Sequence, residues 1–214
     1  MAGITTSIAD ESFYSDRHST YVVNFGNAVI RTTLTSDSGV VTNWLHRVNN
    51  SIGLFSRRIV GLDIEWRPHS RQYTNPAATL QICVGNRCLI FQLLHADRIP
   101  SSLTDFMSNR NNVFVGVGIE SDLRMLQSDH NFGFGVNFKD LRTLAAERYT
   151  TRDLRQSGLK RLVDVVLHVD LEKPPSITTS RWDRERLSHA QIKYAAIDAY
   201  ACFRIGTVLR ATST

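Results

Sequence analysis

The chain has 214 residues, of which 42% are hydrophobic and 21% are charged, proportions that exclude a disordered protein and indicate one folded domain. The chain contains no apolar run of the roughly 18–20 residues that a membrane span needs, and its start shows no secretory signal peptide. The net charge of +5 favours a polyanionic partner, and arginine, whose guanidinium binds phosphate oxygens bidentately, supplies all but four of the 25 basic residues.

The cysteines Cys83, Cys88 and Cys202 are an odd number and form no C-x-x-C pair. This pattern argues against a disulfide scaffold and against a cysteine zinc site. We therefore expect three small core residues in a protein of a reducing compartment, either the cytoplasm or the nucleus.

The N-terminal region divides into a polar stretch and a hairpin. Residues 1–19 are polar and lack periodicity, which predicts a flexible arm ahead of a single domain over residues 20–214. Two β-rich runs, at residues 21–25 and 28–34, flank the turn Gly26-Asn27 and predict a hairpin.

Strands and helices alternate through the rest of the chain. Apolar runs predict strands at residues 59–66, 79–84, 88–93, 112–117 and 136–138. Helical spacing predicts helices from the Ser36-Asp37 cap to about 48, and near 102–107, 120–127, 141–148, 159–167 and 189–209. The last helix begins at a capping box, Ser188-x-x-Gln191, and the segment from Pro174 to Ser180 is predicted to be a loop. This order predicts an α/β fold, a mixed sheet flanked by helices.

The strand predicted at residues 59–66 carries two carboxylates. Asp63 and Glu65 are two residues apart, so strand geometry places both on one face, with Leu62 and Ile64 on the other. Two adjacent carboxylates on a half-buried strand repel each other and need a compensating cation. Taken alone, the pair is also compatible with two solvated acids on an exposed strand face.

Further polar residues stand on two of the predicted helices. Asp122 follows the Gly116-Val-Gly118 turn, which lacks the third glycine of a dinucleotide fingerprint because that place holds Ser121. Tyr194 and Asp198 are one turn apart in the last helix. The four carboxylates and the hydroxyl together suit hard divalent ions such as Mg²⁺ or Mn²⁺. Two such ions can stabilise the attacking and leaving oxygens of phosphodiester displacement.

These segments resemble the three exonuclease motifs of the DnaQ-like (DEDD) 3′→5′ exonucleases, which have a ribonuclease H-like fold. Tyrosine four residues before the last aspartate is typical of the DEDDy branch, whereas the histidine branch has its histidine where this chain has Lys193. The runs at residues 60–66, 115–122 and 194–200 are most similar to the Werner-syndrome-type exonuclease domain. The resemblance covers about residues 55–210.

The resemblance implies a role for each motif residue. Asp63 would bridge two metal ions, and Glu65 and Asp198 would complete the site that binds the attacking water. Asp122 would hold the second ion through water, and the Tyr194 hydroxyl would orient the attacking water. The implied cofactors are two Mg²⁺ or Mn²⁺ ions.

Three residues are weaker candidates for substrate contacts. Trp66 can stack on the terminal base or close a core strand, and Trp182 can border the substrate channel or pack in the core. Arg124 stands where the Werner-type domain has an aromatic residue, which weakens the expectation of base stacking there.

The short chain, the N-terminal hairpin and the run at residues 75–85 are similar to plant stand-alone members of the family. Some of those are exoribonucleases that interact with small-RNA effector complexes, clear uridylated fragments and assemble as hexameric rings. The resemblance therefore implies an exonuclease acting on single-stranded nucleic acid, with RNA favoured. A DNA exonuclease of the same fold remains an alternative. So does a catalytically silent binding subunit, although four clustered acids would repel its polyanionic ligand.

Overall fold

The computed structural model describes residues 4–15, 18–51, 57–68 and 74–212 of the chain. Its strands are β1 (Thr6–Ser15), β2 (His18–Phe25), β3 (Ala28–Thr35), β4 (Arg58–Trp66), β5 (Ala77–Val84), β6 (Arg87–Gln92), β7 (Asn112–Gly116) and β8 (Phe138–Asp140). Its helices are α1 (Ser38–Ser51), α2 (Ser101–Ser108), α3 (Ile119–His130), α4 (Leu141–Tyr149), α5 (Leu159–Leu167), α6 (Pro175–Thr178) and α7 (His189–Val208).

The eight strands form one mixed sheet, in the order β1-β2-β3-β6-β5-β4-β7-β8. Tight turns join the antiparallel pairs β2–β3 and β5–β6, while β7 and β8 lie parallel to β4 after helical connections. Helices α4, α5 and α7 cover one face of the sheet, and α1, α2 and α3 cover the other. The α/β class and the flanked mixed sheet that the sequence predicts are confirmed.

The central strand β4 contributes to both cores. Leu62 and Ile64 are buried on the side of α1 to α3, so the alternate residues of β4 face α7. Among these, Gly61 permits a very close approach, since a Cβ atom there would lie 2.1 Å from the Ala199 carbonyl oxygen of α7. This contact brings the backbone of α7 down onto β4 two residues before Asp63.

The prediction of a flexible N-terminal arm is wrong for residues 6–15, which form β1. This strand pairs antiparallel with β2, from Thr6 opposite Phe25 to Glu11 opposite Thr20. Among the residues of this segment whose side chains the structure describes, Ile4 and Ile8 pack against the core. Backbone pairing with the edge of β2 determines the strand, and such pairing leaves no apolar pattern in the sequence.

Two further differences concern short helical turns. The predicted loop from Pro174 to Ser180 contains α6, which begins at a proline because its fixed φ suits a first helical turn. The 3₁₀ helices at Leu93–His95 and Arg152–Gln156 are both absent from the sequence prediction. The remaining predicted elements lie within three residues of the observed ones.

Two predicted helix caps are present. The Asp37 carboxylate accepts a hydrogen bond from the Val40 amide at 3.0 Å, at the start of α1. Ser188 and Gln191 form the capping box of α7. The three cysteines are buried core residues, as predicted. Within the described residues, no helix combines the length and apolar character needed to cross a membrane.

Candidate active site

Strand β4 and helix α7 bring three carboxylates together. Asp63 and Glu65 share the face of β4 that α7 covers, and Asp198 lies on the buried side of α7. One carboxylate oxygen of each residue lies within 4.8 Å of the others. The sequence prediction that Asp63 and Glu65 share a face opposite Leu62 and Ile64 is therefore confirmed.

The fourth acid, Asp122, lies outside this three-carboxylate cluster. It stands in the first turn of α3, and Gly118, the N-cap residue of this helix, adopts a left-handed conformation at φ 75°. The Gly118 amide donates a hydrogen bond to the Asp140 carboxylate at 3.0 Å, and Arg142 also pairs with that carboxylate at 3.0 Å. Burial and then the Asp140 charge raise the pKa of Asp122 to about 7, while Arg142 opposes the rise.

Burial and mutual repulsion make the acids of the cluster hard to ionise. Burial, followed by the charges of Asp198 and Asp122, raises the pKa of Asp63 well above its usual value. Burial and then the charge of Asp63 raise the pKa of Glu65 to about 10. Burial also raises the pKa of Asp198, against the opposing effect of the Lys173 ammonium. The site therefore holds more carboxylate than its own cation can neutralise.

This donor set fits divalent metal ions. Carboxylate oxygens are ligands preferred by Mg²⁺ and Mn²⁺, whereas zinc and copper sites generally include histidine or cysteine. In the described part of the chain, the cluster consists of aspartate and glutamate alone. A divalent cation bound there would supply the missing positive charge and keep the carboxylates ionised.

Tyr194 lies one helical turn before Asp198, beside the cluster. Its hydroxyl forms a hydrogen bond of 3.1 Å with the Thr178 hydroxyl of α6. Burial and then the charge of Asp198 raise the pKa of Tyr194 to about 12, although Lys173 opposes this rise. The phenol therefore stays protonated at neutral pH, so it can orient a water molecule but is not suited to act as a base.

The structure contradicts the prediction that Trp182 borders the substrate. Its side chain is only 1% exposed, and its indole nitrogen donates a hydrogen bond to the Thr178 carbonyl oxygen at 3.3 Å. Its ring packs at 6.0 Å from the ring of Tyr194. Because its indole N–H has a hydrogen-bond partner, Trp182 can be buried, and its ring supports the position of Tyr194 from within the core.

The other two candidate substrate residues have different surroundings. Arg124 is exposed and pairs with Glu120 at 3.2 Å. Because a helix turns about 100° per residue, Arg124 lies on the side of α3 opposite Asp122 and is not brought to the cluster. Trp66 is half-buried at the end of β4, next to Glu65, and packs against the core formed with α1 to α3. Base stacking by Trp66 stays a prediction.

Two further residues lie at the site although no sequence motif indicates them. The Lys173 ammonium contacts Asp198 at 2.5 Å, and the Thr178 hydroxyl contacts Tyr194. Both belong to the segment predicted as a loop or to its edge, where no periodicity indicates which way a side chain faces. The sequence signal for Lys173 is that lysine is scarce, with four in the whole chain.

The raised pKa values predict how the stability of the metal-free protein depends on pH. Between the ordinary pKa of 4.5 and the raised pKa of about 10, Glu65 binds a proton in the folded protein that the unfolded chain has lost. Asp122 does the same between 3.8 and about 7. Stability falls with rising pH wherever the folded state binds more protons. In EDTA, the free energy of unfolding should therefore decrease from pH 5 to pH 8, by up to about 1.4 kcal/mol per pH unit for each group.

Urea unfolding at the two pH values measures this effect. Saturating Mg²⁺ should abolish the decrease, because carboxylates that bind a metal are ionised in the folded protein. The Asp63→Asn variant should show a shallower decrease in EDTA, since it removes one of the repelling charges. Equal stability at pH 5 and pH 8 in EDTA would contradict the assigned protonation of the cluster.

Comparison with known proteins places this site in a family. A family model described as 3′-5′ exonuclease matches residues 34–212. A 3′-5′ exonuclease of Arabidopsis thaliana is 38% identical over 156 residues, which are 71% of this chain and 52% of the relative. The mouse bifunctional 3′-5′ exonuclease/ATP-dependent helicase WRN is 32% identical over 153 residues, 71% of this chain and 11% of the relative. The chain thus spans about half, or much less, of the length of these relatives.

Solved structures share the fold at low sequence identity. Escherichia coli RNase D superposes with a TM-score of 0.68 and 19% identity, covering 83% of this chain and 44% of that one. The Nibbler EXO domain of Aedes aegypti gives a TM-score of 0.67 and 18% identity, covering 83% and 86%. The chain therefore has the ribonuclease H-like fold of these nucleases. Because the family model also matches most of its length, the chain belongs to the 3′-5′ exonuclease family.

Proposed function

We propose that the protein is a metal-dependent 3′→5′ exonuclease that hydrolyses single-stranded nucleic acid and prefers RNA to DNA. The observation that carries this proposal is the convergence of Asp63, Glu65 and Asp198 within 4.8 Å, with Asp122 and Tyr194 beside them. A subunit that only binds nucleic acid has no use for such a cluster, because buried carboxylates repel a phosphate backbone. The family match supports an exonuclease rather than another metal-dependent hydrolase.

The residues of the site have distinct proposed tasks. Two Mg²⁺ or Mn²⁺ ions, when bound, would supply electrostatic stabilisation of the attacking and leaving oxygens. Glu65 and Asp198 would hold one ion and Asp122 the other. The resemblance implies that Asp63 would contribute to holding both ions, and its carboxylate lies within 4.8 Å of those of Glu65 and Asp198. The Tyr194 hydroxyl, protonated and fixed by Thr178, would donate or accept the hydrogen bond that orients the attacking water.

The preferred substrate and the biological setting also belong to this proposal. The arginine-rich composition supports a phosphate backbone as ligand, but it does not separate RNA from DNA. The resemblance to plant stand-alone members supports RNA, clearance of fragments in a small-RNA pathway with its effector complex, and a hexameric ring. A DNA exonuclease of the same fold remains the alternative.

Matched RNA and DNA oligonucleotides, labelled at the 3′ or the 5′ end, test the proposed function. With Mg²⁺ or Mn²⁺ we expect a 3′ label to be released first as a mononucleotide and a 5′ label to shorten progressively. RNA should be degraded faster than DNA, and EDTA or a 3′-phosphate should stop the reaction. Cleavage of circular strands would show an endonuclease, and faster degradation of DNA would favour the alternative. The Asp63→Asn protein, purified in parallel, controls for contaminating nucleases.

A further inference from the structure

Lys173 enters the carboxylate cluster from outside the motifs that form it. It precedes α6, whereas the acids that it faces belong to β4 and α7. Its ammonium nitrogen lies 2.5 Å from Asp198 Oδ2 and 4.8 Å from the centre of the Tyr194 ring. The Lys173 side chain is 24% exposed and that of Asp198 is 3% exposed. The ammonium is therefore held within the site, against an oxygen of a proposed metal ligand.

The protein offers a second lysine–aspartate pair for comparison. Lys160 pairs with Asp170 at 3.2 Å, but these side chains are 57% and 48% exposed. Such a surface pair contributes little, because water and salt screen it. The Lys173–Asp198 pair is screened far less, and the carboxylates of Asp198 and Asp63 outweigh burial so that the pKa of Lys173 is raised. Lys173 thus remains a full positive charge at the cluster.

A divalent ion bound at this cluster would lie close to the Lys173 ammonium. Metal ions bind a carboxylate oxygen at roughly 2.0–2.2 Å, so an ion on Asp198 and the Lys173 ammonium would compete for lone pairs of one carboxylate. Even on separate oxygens, the two cations would repel each other in a poorly solvated site. Lysine has a flexible four-carbon stem, which allows its ammonium to leave without movement of the backbone.

We propose that Lys173 is a built-in competitor of the divalent ion: its ammonium neutralises Asp198 in the metal-free protein and lowers the affinity of the site for metal. This inference rests on the proposed metal site, although not on the polarity or the substrate of the exonuclease. Lys173 thereby keeps the empty site folded and sets the concentration of divalent ion at which the site fills. The expected consequence is that removing the ammonium tightens metal binding, whereas removing a carboxylate weakens it.

Titration calorimetry with Mn²⁺ tests the inference without measuring activity. Lys173→Met keeps an unbranched side chain only one atom shorter and removes the charge, so its Kd for Mn²⁺ should fall about tenfold or more. Lys173→Gln, a second uncharged variant that can still donate a hydrogen bond to Asp198, should also bind more tightly. Lys173→Arg retains the charge and should stay close to the wild type, as should the surface control Lys160→Met. In EDTA the Tm of Lys173→Met should drop, and Mn²⁺ should raise it more than it raises the Tm of the wild type.

The outcomes separate this inference from the proposed function. If the wild type binds Mn²⁺ and neither uncharged variant binds it more tightly, Lys173 is not a competitor, and the exonuclease proposal is unaffected. If the uncharged variants bind Mn²⁺ more weakly, Lys173 instead supports the position of Asp198 and Tyr194, which also overturns the inference. If the wild type binds no Mn²⁺, the proposed metal site fails and this inference fails with it.

Discussion

Asp63→Asn should abolish hydrolysis, with a fall in kcat of at least roughly a thousandfold, the upper range for loss of one contact in a transition state. The Asp63 carboxylate repels that of Glu65 and is itself repelled by Asp198 and Asp122, so its loss should disrupt both proposed metal positions. Single-turnover rates on a 3′-labelled RNA at saturating Mg²⁺ measure the effect. Near-normal turnover of this variant would remove Asp63 from the metal site.

The same substitution should stabilise the metal-free protein rather than unfold it. In EDTA at pH 8, the raised pKa of Asp63 means that the folded state must take up a proton that the unfolded chain has lost, and the amide of Asp63→Asn removes this cost. Urea unfolding should therefore give a higher free energy of unfolding for the variant than for the wild type. The matched control is Asp105→Asn, an exposed acid of α2, which should change neither activity nor stability. A variant that is inactive and also less stable would indicate a folding defect instead of a lost ligand.

The part of the site that rests on regular structure could be predicted from the sequence. Leu62 and Ile64 alternate with Asp63 and Glu65, and strand geometry converts that alternation into one apolar and one acidic face. The four-residue spacing of Tyr194 and Asp198 likewise predicts that both side chains lie on one face of α7. The spacing does not predict the distance between β4 and α7, because that distance depends on the close contact between Gly61 and the Ala199 carbonyl oxygen.

The parts that could not be predicted depend on contacts between distant segments. Strand β1 is determined by pairing with the edge of β2, and its polar side chains carry no signal of this. The sequence leaves open whether Trp182 borders the substrate channel or packs in the core, and the indole hydrogen bond to Thr178 that allows its burial depends on the fold. Lys173 lies in a segment without periodicity, so only the fold shows that it reaches Asp198.

Tyr194→Phe should separate the orienting of water from the binding of metal. The variant keeps the ring that packs against Trp182 and lies beneath Lys173, and it loses only the hydroxyl that contacts Thr178. One lost positioning contact in a transition state costs roughly 2.7–4 kcal/mol, a hundredfold or more in rate. The Kd for Mn²⁺ should scarcely change, because the protonated phenol is not a metal ligand.

Asp198→Asn, one helical turn away, is the matched comparison because it removes a ligand charge while its amide keeps nearly the same shape. This variant should lose activity and should also bind Mn²⁺ at least about tenfold more weakly, which is roughly 1.4 kcal/mol. Thr178→Val, which removes one hydrogen-bond partner of the Tyr194 hydroxyl, should reduce the rate less than Tyr194→Phe does and leave metal binding unchanged. Calorimetry with Mn²⁺ and single-turnover rates at saturating metal, measured on all three variants, distinguish these effects. If Tyr194→Phe lost metal affinity as severely as Asp198→Asn, the phenol would be a ligand or a structural support of the ligands, and its assignment as the residue that orients water would be wrong.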